Sequence, residues 1–246
     1  MLQTLVKVKQ ETEADQLKRA FVKVMVEISQ IIPETPTLEN IAIFEPSIEH
    51  LKIAPDNLIE WLDDDDLISA FVGVARFYEG QGQYNSAERY FDNCLEAVQS
   101  RLGDNHPDVA TSLNNLAELY QALGRYTEAE PLLLEALDLT KQLLGDNHPH
   151  VALSLNNLAL LYDSQGRYTE AEPLFLEALD LSKRLLGDNH PYVATSLNNL
   201  AYLYKSQGRY TEAEPLYLQA LAIAEQALGE NHPNTVRIRE NLESLP

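Results

Sequence analysis

The chain repeats itself every 42 residues. The segment GDNHP begins at Gly103, Gly145 and Gly187, and the variant GENHP begins at Gly229. Residues 103–144 and 145–186 agree at 33 of 42 positions. Self-similarity at a fixed period of about 20–50 residues is typical of solenoids, in which each unit packs against its neighbours. The repeat therefore constrains the fold more than any local motif does.

Each unit begins with an amphipathic helix, shown here for the third unit. The stretch from about Pro149 to Gln165 places Leu155, Leu158 and Tyr162 on one face with the period of an α-helix. A proline is tolerated in the first turn, because its missing N–H would have no partner inside the helix. Gly166 is expected to end the helix in a left-handed conformation.

A second helix follows in the segment RYTEAEPLFLEALDLSKRLLG. The spacing of Thr169 and Glu172 predicts a capping box at its start. Ala171 and Ala178 are small where two helices must approach closely, and Gly187 is expected to end the helix. One helical hairpin cannot bury its apolar face alone, so the sequence predicts a stack of hairpins. The predicted hairpins are 66–102, 108–144, 150–186 and 192–228, followed by a half unit at 234–246.

The repeat resembles the tetratricopeptide repeat. The residues that carry the resemblance are Leu155, Leu158, Ala159, Tyr162, Gly166, Tyr168, Ala171 and Ala178. The 42-residue period and the signatures HPxVAxSLNNLAxLY and GRYTEAEPL are similar to those of the kinesin light chain-like subfamily, which is also common in bacterial signalling proteins. The resemblance implies an all-α fold, a right-handed α-solenoid of helix-turn-helix repeats over residues 66–246. It also implies a surface that binds peptides or partner proteins.

Residues 1–65 do not follow the repeat and are predicted to form an N-terminal helical capping segment. Residues 11–31 form one predicted helix, which Pro33 and Pro36 terminate. Residues 37–62 are predicted to form one or two further helices, interrupted near Pro46 and Pro55. The segment resembles helical stretches that precede such repeats in large bacterial signalling NTPases. This leaves open that the chain is a sensor piece of such a protein, although no GxxxxGK[ST] phosphate loop is present.

Composition excludes several classes of partner. The formal net charge of −20 argues against binding to a nucleic-acid backbone and against docking on anionic lipid. No run of 18 apolar residues is present, so the sequence predicts no membrane span. A single cysteine cannot form an internal disulfide, and the first residues lack the pattern of a secretory signal. We therefore expect a cytoplasmic protein.

Neither catalysis nor a metal or cofactor is expected. The histidines at 106, 148, 190 and 232 recur once per repeat, which is too far apart to share one ion, and they are expected to cap the following helix. Cys94 stands where later units have Ala136, Ala178 and Ala220, which predicts a buried structural thiol. The sequence therefore predicts a non-enzymatic protein.

The predicted binding site is the face of the first helices opposite the core. An asparagine amide both donates and accepts hydrogen bonds, so a ladder of one Asn per repeat can pair with an extended peptide backbone. The alternative is that these amides only bond neighbouring helices. In the resembling family the Asn of the LNNLA position contacts bound peptide. The predicted site residues are Arg76, Asn114, Asn115, Glu118, Leu153, Asn156, Asn157, Leu160, Asp163, Asn198, Asn199, Tyr202, Lys205, Arg237 and Asn241.

These residues predict a peptide-binding scaffold that holds an extended segment of a partner in a concave groove. Acidic ligand residues are expected to point towards Lys205 and Arg237, and basic ones towards Glu118 and Asp163. The groove residues differ from unit to unit at equivalent positions. Neutral drift on an exposed face would explain these differences as well as selection for a ligand would. A self-assembling structural scaffold remains an alternative function, but the polar last helix favours a monomer.

Overall fold

The computed structural model describes the backbone of residues 2–246 and the side chains from residue 13 onward. Within that range the chain is all-helical and contains no strand, as predicted. The helices are α1 (Leu2–Ile31), α2 (Leu38–Phe44), α3 (Ile48–Leu51), α4 (Ile53–Asn57), α5 (Leu67–Gly80), α6 (Tyr84–Leu102), α7 (Pro107–Ala122), α8 (Tyr126–Leu144), α9 (Pro149–Ser164), α10 (Tyr168–Leu186), α11 (Pro191–Ser206), α12 (Tyr210–Leu228) and α13 (Pro233–Glu243). Short 3₁₀ turns lie at Glu45–Ser47, Ile59–Trp61 and Asp64–Asp66. None of the described helices is long and apolar enough to cross a bilayer.

The histidine of each GDNHP or GENHP segment caps the first helix that follows it. The Nδ1 atom of His148 accepts a hydrogen bond from the backbone N–H of His150 at 3.2 Å, and His190 does the same for Tyr192 at 3.1 Å. His232 repeats this contact at the start of α13. Each imidazole satisfies an N–H that the helix leaves unpaired. The predicted capping role is thereby confirmed.

The predicted capping box at the start of the second helix is wrong. Helix α10 begins at Tyr168, one residue before Thr169, and its N-cap residue Arg167 makes no side-chain capping bond. The guanidinium of Arg167 lies 4.0 Å from the ring centre of Tyr162 and binds the carboxylates of Glu130 and Glu170. A stacked arginine therefore fixes the turn between the helices, where the sequence pattern had suggested a threonine cap.

The described chain divides into two compact units, residues 1–119 and 120–246. In the first unit α1 packs along α5, with Val22 and Val26 buried. A Cβ atom added at Gly73 of α5 would lie 2.5 Å from the Cβ of Ser29, so this contact requires glycine. Helix α1 begins at Leu2, nine residues before the predicted start. Pro55 lies inside α4, where an interruption had been expected.

In the second unit the hairpins α9–α10 and α11–α12 stack through the predicted apolar face. Leu155 and Ala178 belong to one buried cluster, and Leu158 and Leu200 are also buried. This packing holds the first helices α9, α11 and α13 side by side. The boundary between a capping segment and the repeats at residue 65 remains a prediction.

Candidate functional site

A cavity of about 160 Å³ opens on the first helices of the second unit. We call it the amide pocket. Its lining residues are Pro149, Leu153, Asn156, Asn157, Leu160, Ser182, Tyr192, Thr195, Ser196, Asn199 and Arg237. Six of these are predicted site residues. A cavity of about 150 Å³ accommodates a benzene-sized group, so the pocket has room for one large apolar side chain.

Asn156 forms a polar wall of the amide pocket. Its Nδ2 donates to the carbonyl of Ala152 and to the hydroxyl of Ser196, each at 3.1 Å. The side chain is 5% exposed, and its Oδ1 has no hydrogen-bond partner among the described residues. A buried acceptor without a partner costs about 1–3 kcal/mol. Asn156 therefore joins α9 to α11 beside the pocket, while its Oδ1 stays buried.

The amides of α11 and α13 form a short chain. Asn241 Nδ2 donates to Asn198 Oδ1 at 2.9 Å, and Asn198 Nδ2 donates to Asn199 Oδ1 at 3.3 Å. Asn198 is buried, so it and Asn241 serve contacts between helices, which is the alternative that the sequence left open. Asn199 and Asn157 line the pocket. Asn199 is 9% exposed and accepts from Asn198, whereas Asn157 is half-buried.

The two predicted cations of this face differ in their surroundings. Lys205 Nζ donates to the hydroxyl of Ser244 near the end of the chain. Arg237 lines the amide pocket, is exposed, and makes no ion pair within the described part of the chain. Among the described residues its guanidinium donates to the amide oxygen of Asn234, at 3.4 Å. Arg237 can therefore receive a carboxylate or carbonyl of a ligand.

Asp163 and Tyr202 lie one helical turn beyond the pocket residues Leu160 and Asn199 on α9 and α11. Asp163 is 9% exposed, and its Oδ1 has no described partner. Burial raises the pKa of this carboxyl to about 6. Tyr202 is 43% exposed, so its ring is accessible next to the pocket.

The first unit places its predicted site residues differently. Arg76 of α5 forms a 3.5 Å ion pair with Glu34, and Gly73 stands at the position of the second Asn of later units. Helix α1 covers Gly73, so the face of α5 is not an open wall. On α7, Asn114 donates to the carbonyl of Ala110 at 2.7 Å, Asn115 is half-buried, and Glu118 is exposed. The pKa of Glu118 is raised by desolvation and by the charge of Glu34.

Several residues of the site were not predicted. Ser196 and Tyr192 line the amide pocket from α11, and Ser182 lines it from α10. Ser196 lies on the core side of α11. Its hydroxyl has a polar partner only because the neighbouring first helix brings Asn156 next to it.

A model of the tetratricopeptide repeat matches residues 66–138, 108–181, 161–226 and 192–245. The chain belongs to the tetratricopeptide repeat family. Tetratricopeptide repeats form protein-interaction scaffolds, which are in general non-enzymatic. Among the side chains that the structure describes, no cluster of His, Cys, Asp and Glu suits a metal ion. Burial raises the pKa of the Cys94 thiol to about 12, and the predicted burial of this cysteine is confirmed.

Solved tetratricopeptide-type structures share the fold. A structure of nearly identical, kinesin light chain-like TPR repeats from Podosopora anserina is 24% identical with a TM-score of 0.63, over 87% of this chain and 97% of that one. BtubC (BKLC) from P. vanneervenii is 23% identical with a TM-score of 0.60, over 89% and 94%. A Rap protein complexed with Competence and Sporulation Factor is 20% identical with a TM-score of 0.59, over 82% and 60%. A search of curated proteins gave no match.

Proposed function

We propose that the second unit binds an extended peptide segment of a partner protein across α9, α11 and α13. The observation that carries this proposal is a cavity of about 160 Å³ whose lining combines leucine with asparagine side chains. Binding sites are typically concave and apolar, with a few polar groups that fix orientation. Leu153 and Leu160 supply the apolar walls, and Asn156, Asn157 and Asn199 supply the amides.

The mechanism is recognition by a preformed surface. An apolar ligand side chain enters the amide pocket, and the backbone beside it exchanges hydrogen bonds with Asn157 and Asn199. Arg237 receives an acidic group at the α13 end. Because stacked hairpins hold the helices before the ligand arrives, little conformational entropy is lost on binding. The Rap protein of similar fold that was solved with Competence and Sporulation Factor supports the use of such a fold for ligand recognition.

The test is a peptide selection followed by paired variants. Dodecapeptides would be selected on the wild-type protein from a random library displayed on phage, and their affinities measured by calorimetry. We expect Leu160→Glu to abolish binding, because it puts a charge into the pocket wall. The control is Leu176→Glu, which adds the same charge at a 45% exposed leucine of α10. Equal binding by both variants would refute the proposed site.

Two further properties belong to this proposal. We propose a monomer in solution, because α13 carries the charged residues Arg237, Arg239 and Glu240. We also propose a cytoplasmic location, since the chain has one cysteine and needs no disulfide. Light scattering at two concentrations checks the first property, and a stable dimer at micromolar concentration would contradict it.

A further inference from the structure

Helix α13 leaves two core positions of the repeat partly uncovered. Leu242 and Leu245 stand 42 residues after Leu200 and Leu203, which are at most 2% exposed in the hairpin α11–α12. Within the described range α13 has no second helix to complete a hairpin, and Leu242 and Leu245 are half-buried. Both line an open cleft of about 490 Å³, whose other walls include Tyr210, Glu214 and Leu218 of α12. We call this cavity the end cleft.

Glu214 in the end cleft lacks the contacts that its equivalents make. Glu172, which stands 42 residues earlier, accepts a hydrogen bond from the Tyr204 hydroxyl at 3.0 Å and binds the Arg209 guanidinium at 2.9 Å. The preceding repeat forms the same ion pair at 2.8 Å. Glu214 is exposed and forms neither a hydrogen bond nor an ion pair within the part of the chain that the structure describes. The carboxylate of this repeated contact is therefore present here without its cation.

The completed hairpins show which kind of helix covers such a surface. In each of them a second helix begins directly after the arginine and buries a small, a large and a small side chain in turn. These residues are Ala171, Phe175 and Ala178 on α10, and Ala213, Tyr217 and Ala220 on α12, all fully buried. The arginine precedes the first alanine by four residues in both helices. A helix with this pattern beside α13 would cover both leucines and bring a cation to Glu214.

We propose that the end cleft docks an amphipathic helix of a partner protein that begins with an arginine. The guanidinium binds Glu214, and the apolar face packs on Leu242 and Leu245 as α12 packs on α11. Burial of these leucines supplies the driving force, and the ion pair fixes the register of the helix. The end cleft and the amide pocket share no lining residue, so this surface is additional to the proposed peptide site.

A second folded copy of the chain does not supply such a helix. The apolar faces of α10 and α12 are already buried in their own hairpins. Their arginines, Arg167 and Arg209, already bind Glu130 and Glu172. The net charge of −20 also favours encounter with a cationic partner over encounter with another copy.

The test uses a synthetic peptide of residues 166–187, which carries the arginine and the apolar pattern of α10. Its binding to the full chain is measured by fluorescence anisotropy. The wild type should bind this peptide about fivefold or more tightly than a version with Arg167→Gln, as loss of a partly exposed ion pair predicts. On Glu214→Gln the two peptides should bind within about twofold of each other. The control Glu177→Gln removes the same charge at an exposed site of α10 and should keep the full difference.

The apolar wall is tested with a second pair of variants. Leu245→Glu should abolish peptide binding, whereas Leu176→Glu, with the same charge on the outer face of α10, should bind as the wild type does. Leu160→Glu should also leave this binding unchanged, which separates the end cleft from the amide pocket. Equal binding of both peptides by the wild type, or full binding by Leu245→Glu, would overturn the inference. A stable dimer of the protein alone that Leu245→Glu dissociates would make a second copy the occupant and would also overturn it.

Discussion

Replacing Asp163 by asparagine should stabilise the protein at neutral pH. Burial raises the pKa of this carboxyl from its ordinary 3.8 to about 6. The folded state therefore holds its proton over a pH range in which the unfolded state has lost it, so stability falls as pH rises from about 4 to about 6. The pKa values of the folded and unfolded states differ by about 2. This difference lowers the free energy of unfolding by about 3 kcal/mol at every pH above this range. Asparagine carries no charge to desolvate and avoids this loss.

Urea unfolding at pH 7.5 and at pH 4 tests this reasoning, with wild type and Asp163→Asn measured side by side. At pH 7.5 the variant should exceed the wild type by about 3 kcal/mol, and at pH 4 by less than about 1 kcal/mol. Asp180→Asn, at an exposed site, should stay within about 0.5 kcal/mol at both values. A gain that is absent, or equal at both pH values, would show that the Asp163 carboxylate is not desolvated in the folded state.

Three further substitutions test the packing of the repeats by the same unfolding measurement. Gly73→Ala should destabilise by about 1–3 kcal/mol, because the new methyl would overlap the backbone of Ser29; unchanged stability would show that α1 does not pack this closely on α5. His190→Ala should lower the free energy of unfolding by about 0.5–2 kcal/mol, because it removes the helix cap. His190→Asn should retain most of that stability, since an amide oxygen can also cap the helix. Equal losses in the two variants would exclude a capping role. Thr235→Val should stabilise the protein by about 1 kcal/mol, because the buried hydroxyl has no partner among the described residues. Valine already fills this place in the three preceding units. A loss of stability would show that the hydroxyl has a hydrogen-bond partner.

The 42-residue period predicted the helices of the repeats closely, because proline, histidine and glycine mark their ends. Helix α9 was predicted to begin at Pro149 and does so, and it ends at Ser164 beside Gly166, whose φ of 72° requires glycine. The start of α1 was missed because residues 2–10 carry no capping signal. The short helices around Pro55 were also missed in detail, since proline is tolerated in a first turn.

The site was only partly predictable. Helical spacing placed Asn157 and Asn199 on one face, and both line the amide pocket. Periodicity could not show that Asn156 and Asn198 would be buried between first helices, because this depends on the distance between neighbouring helices. It also could not show that α1 covers Gly73, although a glycine in place of the expected asparagine was a visible signal.

The central claim is that a ligand sits on the first helices of the second unit. The most direct measurement is the NMR spectrum of the isotopically labelled protein as a selected peptide is added. The account predicts that the side-chain amide signals of Asn157 and Asn199 and the methyl signals of Leu153 and Leu160 shift together and saturate with the affinity found by calorimetry. Saturating shifts at Leu176 and the other exposed leucines of the second helices, with these four residues unchanged, would contradict it.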